Sequence, residues 1–188
     1  MKTFIEFLTE ENDNLQQVWH GGDLTDSDNT VNHKKDRYEY GAGLYTTTHY
    51  DTARKYSKGN RKLYLLTIKQ GTNIDSVVLD KEPTYNFINN YVIKNKRQEI
   101  IDRLERYPTI KANVFNNLVI NLYAIKPSNT GQLRNFLVDN KVDYMIVNNA
   151  FGWGELMVVI YNMDIIVNKK IITSKDKLST FDLPIIIK

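Results

Sequence analysis

Strand-forming runs near both ends of the chain and helix-forming runs in its middle predict an α+β fold. Three observations carry this expectation. Runs rich in β-branched and aromatic residues lie before residue 70 and return after residue 141. Between them, over 84–140, apolar residues recur at helical spacing. Hydrophobic residues make up 41% of the 188, enough for a core, and the order strands, helices, strands disfavours an alternating α/β fold; neither Walker-type nor dinucleotide-type glycine loops occur. One domain spanning 1–188 is expected.

The elements follow in order. Residues 16–19 read as a short strand, and 21–40 (GGDLTDSDNTVNHKKDRYEY) as a long polar loop. After the turn Gly41-Ala42-Gly43, residues 44–48 form a second strand. Residues 51–58 suit a short helix with Asp51 as its cap. KLYLLTIK, residues 62–69, is a strand bounded by Gly59-Asn60 and Gly71.

Three helices are expected in the middle. The first covers 84–107 and stops at Pro108. The second carries Val114, Phe115, Leu118, Val119 and Leu122 and ends near Pro127. The third covers 128–140, with Ser128 or Thr130 as cap and Leu133, Phe136 and Leu137 inward. Strands return at 142–147, at 155–161 as a near-continuous apolar run, at 164–172 and at 183–187.

Composition removes several chemistries. Without cysteine there is no disulfide framework, thiolate metal site or cysteine nucleophile. His20, His33 and His49 are the only histidines, and no metal is expected. No apolar run is long enough to span a membrane, so no membrane partner is expected and the cytoplasm is the expected location. The net charge of +3 says little about partners. His33-Lys34-Lys35, 94–97 and Lys169-Lys170 do not form one basic cluster. His33 and His49 read as surface residues.

Three separated segments carry the chemistry. Val18-Trp19-His20-Gly21-Gly22 puts a histidine at a strand end before glycines. Gly41-Ala42-Gly43-Leu44-Tyr45 is followed by Tyr56 eleven residues later. Glu155 heads an apolar strand ending in Tyr161-Asn162.

Together these resemble the ADP-ribosyltransferase superfamily, in its His-Tyr-Glu branch, that of diphtheria toxin and poly-ADP-ribose polymerase. Val142-Asp143-Tyr144-Met145-Ile146-Val147 resembles the strand that precedes the glutamate in small bacterial and phage relatives. The resemblance covers 18–69 and 142–170. It implies a split β-sandwich of two packed, mainly antiparallel sheets, with a helical insertion at about 80–128.

It also implies roles. Glu155, His20 and Tyr45 would be catalytic. His20, Gly21, Tyr45 and Tyr56 would bind NAD⁺, the substrate, the two tyrosines sandwiching nicotinamide and the Gly21 backbone holding its carboxamide. Glu155 would accept from the ribose 2′-hydroxyl and stabilise an oxocarbenium-like transition state. Gly22 and Ala53 stand where relatives often carry a hydroxyl residue. Trp153 stands where the Arg-Ser-Glu branch carries Gln or Glu, which disfavours that arginine-directed type and puts Trp153 where an acceptor is met.

The activity so implied is mono-ADP-ribosyl transfer to a macromolecule, protein in preference to nucleic acid, by a bacterial or phage effector. The rivals are an NAD⁺ glycohydrolase, a nucleic-acid-directed transferase and a non-catalytic NAD-binding module.

Overall fold

The computed structural model describes residues 15–24, 39–59, 61–148, 150, 154–173 and 182–183. The fold is α+β. Among the described residues, eight strands form a six-stranded sheet and a two-stranded one, with five α-helices. The strands are β1 (Leu15–Gly22), β2 (Leu44–Thr47), β3 (Lys62–Lys69), β4 (Val78–Leu79), β5 (Ile110–Lys111), β6 (Tyr144–Asn148), β7 (Leu156–Ile160) and β8 (Ile166–Ile172). The helices are α1 (Tyr50–Tyr56), α2 (Lys81–Tyr91), α3 (Arg97–Leu104), α4 (Ala112–Asn121) and α5 (Thr130–Asp139).

The large sheet runs β6-β7-β2-β1-β3-β8, and every neighbouring pair is antiparallel. The ladder is uneven. β1 and β3 pair along all eight residues, from Leu15↔Lys69 to Gly22↔Lys62. β1 and β2 pair only at Trp19↔Thr47. The sheet is therefore two three-stranded halves, β6-β7-β2 and β1-β3-β8, sharing one backbone pair.

Alternation along the strands assigns the faces. On one face Val18, Leu44, Tyr64, Leu66, Val158 and Ile160 form a cluster that spans the seam between the halves. On the other face the halves have different covers. Helices α2 to α5 pack over β7, whose Met157 and Val159 join Phe87, Ile88, Ile100, Phe115, Val119, Leu133 and Leu137. Over the second half, among the described residues, lies α1, with Trp19, Ala53 and Leu63 in a small cluster against which Leu183 also packs.

α1 lies against β1 because Gly21 has no side chain. A Cβ there would sit 1.8 Å from the Ala53 carbonyl oxygen and 3.1 Å from the Ser57 nitrogen. Gly43 does the same for the sheet: a Cβ would meet Val159 Cγ1 at 2.5 Å.

Several local expectations are corrected. β1 runs on through His20 to Gly22 rather than stopping at Trp19, because β3 pairs with that whole length. The helix expected over 84–107 is two helices, α2 and α3, separated by an extended Val92 and a 3₁₀ turn, Lys94–Lys96. Val92 bridges Ile125, and Ile93 donates to the Ala124 carbonyl at 2.8 Å, so tertiary pairing overrides the periodicity.

Caps differ as well. Asp51 lies in the first turn of α1, whose N-cap is His49. α5 is capped by Asn129 rather than Ser128 or Thr130, and the Thr130 hydroxyl donates to the Pro127 carbonyl at 2.8 Å. Strand β8 starts only after a 3₁₀ turn, Met163–Ile165. Of the expected last strand, Leu183 donates to the Thr48 carbonyl at 3.0 Å, beside the bridge His49↔Asp182. Residues 184–187, His33 and Trp153 lie outside the described residues. Among the described residues no helix is long and apolar enough to cross a membrane.

Candidate active site

The seam between the half-sheets is where Glu155 lies, and the other expected site residues are placed around it differently. Glu155 lies at the entry to β7 and is 3% exposed. A carboxylate at that depth needs donors, because stripping its water without replacement is costly. Two threonines supply them. Thr47 Oγ1 donates to Oε1 at 2.6 Å, and Thr52 Oγ1 donates to Oε2 at 3.1 Å.

Thr47 belongs to β2 and Thr52 to α1, so the two oxygens are held from the two sides of the seam. The same Thr47 hydroxyl accepts from the His49 backbone N–H at 3.0 Å. One side chain thus opens α1 and orients the carboxylate. Thr48 fixes the backbone beside it: its N–H donates to the Leu156 carbonyl at 3.0 Å, and its hydroxyl accepts from Leu156 N–H at 3.2 Å.

His49, expected on the surface, is half-buried and faces the carboxylate. Its Nδ1 is 4.0 Å from Glu155 Oε2. That places a titratable ring beside the acid without a direct hydrogen bond.

The two tyrosines stand one step from the two threonines. Tyr45 is two residues before Thr47 on β2, hence on the same face of the strand. Tyr56 is four residues after Thr52 on α1, hence on the same face of the helix. The Tyr45 hydroxyl donates to the Gly41 carbonyl at 2.9 Å and accepts from Tyr40 N–H at 3.1 Å. Its ring packs toward the helical core, with Tyr40 at 6.5 Å between centroids. Tyr56 is 41% exposed at the end of α1.

His20 and Gly21 alternate across β1. Gly21 turns to α1, and its lack of a side chain is accounted for by that packing. His20 turns to the opposite face, its ring 6.2 Å from that of Tyr64. It is buried, and Nδ1 lies 2.8 Å from the Tyr45 carbonyl oxygen. His20 thereby links β1 to β2 across the seam where backbone pairing is sparse.

The end of the glutamate strand is structural. Tyr161 is buried and donates to the Tyr40 carbonyl at 2.7 Å. Burial, with the Tyr45 phenol close by, pushes the Tyr161 hydroxyl far above its ordinary range, so it stays a donor. Asn162 Nδ2 donates to Asp143 Oδ1 at 2.7 Å, and Thr72 N–H donates to Asp143 Oδ2, also at 2.7 Å. The residues that made 142–147 and 161–162 resemble a motif tie β6, β7 and the loop after β3 together.

The structure thus gathers Glu155, Thr47, Thr52 and His49 into one cluster, with Tyr45 and Tyr56 on its flanks. It sets Gly21 beneath α1 and His20 across the sheet from α1. Thr47, Thr52 and His49 were not singled out as site residues from sequence. The available signal was the run Thr46-Thr47-Thr48 with Thr52 close behind, a density of hydroxyls suited to a buried acid. Among the described residues no group of three or more His, Asp or Glu is placed to hold a metal ion.

Compared with protein-family models, curated proteins and solved structures, the chain matches none.

Proposed function

We propose that this chain is a mono-ADP-ribosyltransferase that cleaves NAD⁺ and transfers ADP-ribose to a macromolecule. The observation that carries the reading is the buried Glu155 carboxylate, fixed by hydroxyls from β2 and α1 at the seam of the sheet. A split between β1 and β2 also supports the split β-sandwich reading of the fold, with residues 80–128 as its helical insertion.

The chemistry is a substitution at the nicotinamide ribose. The C1′–N bond breaks, nicotinamide leaves with the bonding electron pair, and positive charge develops on C1′ and the ring oxygen. An acceptor oxygen or nitrogen then bonds to C1′ and loses a proton. A fixed carboxylate lowers the barrier because it is already oriented toward the developing charge and does not reorganise. Each oxygen of Glu155 takes one threonine hydroxyl and keeps capacity for a further donor, such as a ribose hydroxyl. Tyr45 and Tyr56 supply aromatic faces for the nicotinamide ring. In this reading Gly21 offers only its backbone, beneath α1, and His20, on the opposite face of the sheet, serves by holding the Tyr45 carbonyl. The setting in which such an enzyme acts is that of a bacterial or phage effector in the cytoplasm of the producing or the target cell.

Glu155→Gln tests the reading. The amide keeps the shape and removes the charge, so nicotinamide release should fall by about 10²-fold or more while NAD⁺ binding changes little. Unchanged release would overturn the role of Glu155. Label from adenine-labelled NAD⁺ ending on a macromolecule supports transfer. Label ending only as free ADP-ribose would make the protein a glycohydrolase.

A further inference from the structure

A second concavity lies on the flank of α1 away from Glu155. Along α1, Thr52 and Tyr56 share the face toward the carboxylate, and Ala53 meets Gly21. Tyr50, Arg54 and Ser57 are spaced four and three residues apart, so they form another face of the same helix. That face, β3 and β8 border an open hollow of about 400 Å³. Leu63, Ile172 and the Tyr50 ring, itself edge-to-face with Trp19 at 5.3 Å, are its apolar lining and are taken as its floor. Its rim is cationic, from Arg54, Arg61 and Lys62.

The charge there is unusual for this chain. Residues 54–62 read RKYSKGNRK: Arg54, Lys55, Lys58, Arg61 and Lys62, with no carboxylate. These five cations exceed the net charge of the whole protein, +3. All five are exposed, and none forms an ion pair with a carboxylate among the described residues. By contrast, Lys96 and Arg97 at the start of α3 have partners within the chain. Lys96 pairs with Glu99 at 3.0 Å, and Arg97 Nε donates to the Val92 carbonyl.

We infer that this pocket binds single-stranded nucleic acid, one base lying on the Tyr50–Leu63–Ile172 floor while Arg54, Arg61 and Lys62 hold the flanking phosphates. The volume lies within the range of small-molecule sites and suits one nucleotide unit. The combination selects the ligand. Guanidinium groups fit phosphate oxygens in forked pairs, and a flat base gains from an aromatic and apolar floor. An acidic peptide would use the rim and leave the floor empty. A duplex would present phosphates and keep its bases stacked inside. The site goes beyond the transferase reading and does not depend on it, because the helix separates it from Glu155.

Fluorescence anisotropy with labelled single-stranded oligonucleotides of about 16 nucleotides, over a salt series and without NAD⁺, tests this. The triple variant Arg54→Ala/Arg61→Ala/Lys62→Ala should weaken binding about tenfold or more and reduce the salt slope by about 2. The triple variant Lys81→Ala/Lys94→Ala/Lys126→Ala, with the same loss of charge on the helical side, should change it less than about twofold. Tyr50→Ala should weaken single strands at unchanged salt slope, and Arg61→Glu alone should repeat the loss should the triple variant lose its fold.

Four results would overturn the proposal: no single-strand binding at low salt, equal losses in both triple variants, duplex bound as tightly as single strand, or poly-glutamate bound with the same sensitivity to the rim. Inorganic phosphate competing as well as the oligonucleotide at equal phosphate concentration would also overturn it, by making the pocket a small-anion site. Wild-type nicotinamide release with no oligonucleotide binding would sink this site and leave the transferase reading standing; the reverse would do the opposite.

Discussion

The two halves of the large sheet are built to different standards. In β6-β7-β2, the central strand β7 is buried along all five residues and lies under four helices. In β1-β3-β8, the outer strand β8 has five exposed residues of seven, and among the described residues one seven-residue helix covers the half. The first half holds most of the apolar core and the buried acid. The second half holds the exposed cations and the open pocket. The difference teaches where the molecule stores stability and where it leaves charge exposed. Close-packed apolar layers resist change, whereas a thin edge leaves backbone and charge available.

Five substitutions test that contrast, in falling order of effect. Phe115 is fully buried on α4, with ring centroids 5.7 Å from Phe87 and 5.5 Å from Phe136. Phe115→Ala should cost roughly 3–5 kcal/mol in urea unfolding. A cost below about 1 kcal/mol would show that the helical half is not the main store of stability.

Gly21→Ala follows. The added methyl meets the Ala53 carbonyl, so α1 must move. Overpacking of this kind costs roughly 1–3 kcal/mol. Because α1 carries Thr52, nicotinamide release should drop more than stability alone explains. Wild-type release from a folded Gly21→Ala protein would uncouple α1 from the site.

The threonine pair comes third. Thr47→Val removes a short bond to Glu155 and leaves the His49 N–H without its acceptor, at roughly 1–3 kcal/mol. Thr52→Val removes only the longer bond, at roughly 0.5–1.5 kcal/mol. Melting curves of both variants should rank them in that order. Val167→Thr on the exposed edge of β8 should stay within about 0.5 kcal/mol of wild type. A larger loss would mean that the thin half is covered in solution.

Much of the fold was legible because its signals are local. β3 falls on 62–69 as its β-branched and aromatic residues and bounding glycines require. Phe115, Leu133 and Leu137 are buried as their helical spacing indicates. The break at Val92 was not legible, because its cause is a partner 33 positions on, Ile125. The same holds for the site. Glu155 stood out by its place before an apolar run. Thr47 and Thr52 are ordinary hydroxyls until the fold sets them 108 and 103 residues away in sequence against the acid. The basic rim was missed for a related reason: its residues come from a helix end and a strand start, and only pairing of β3 with β1 and β8 folds them around one hollow.

The single backbone pair between β1 and β2 has a topological consequence. The chain passes between the half-sheets four times, from β1 to β2, β2 to β3, β3 to β6 and β7 to β8. Each passage is a covalent stitch across a joint with almost no ladder. The halves therefore cannot separate without unravelling strands from both. Slow amide exchange within each half and fast exchange at Trp19 and Thr47 would be the signature of such a stitched joint.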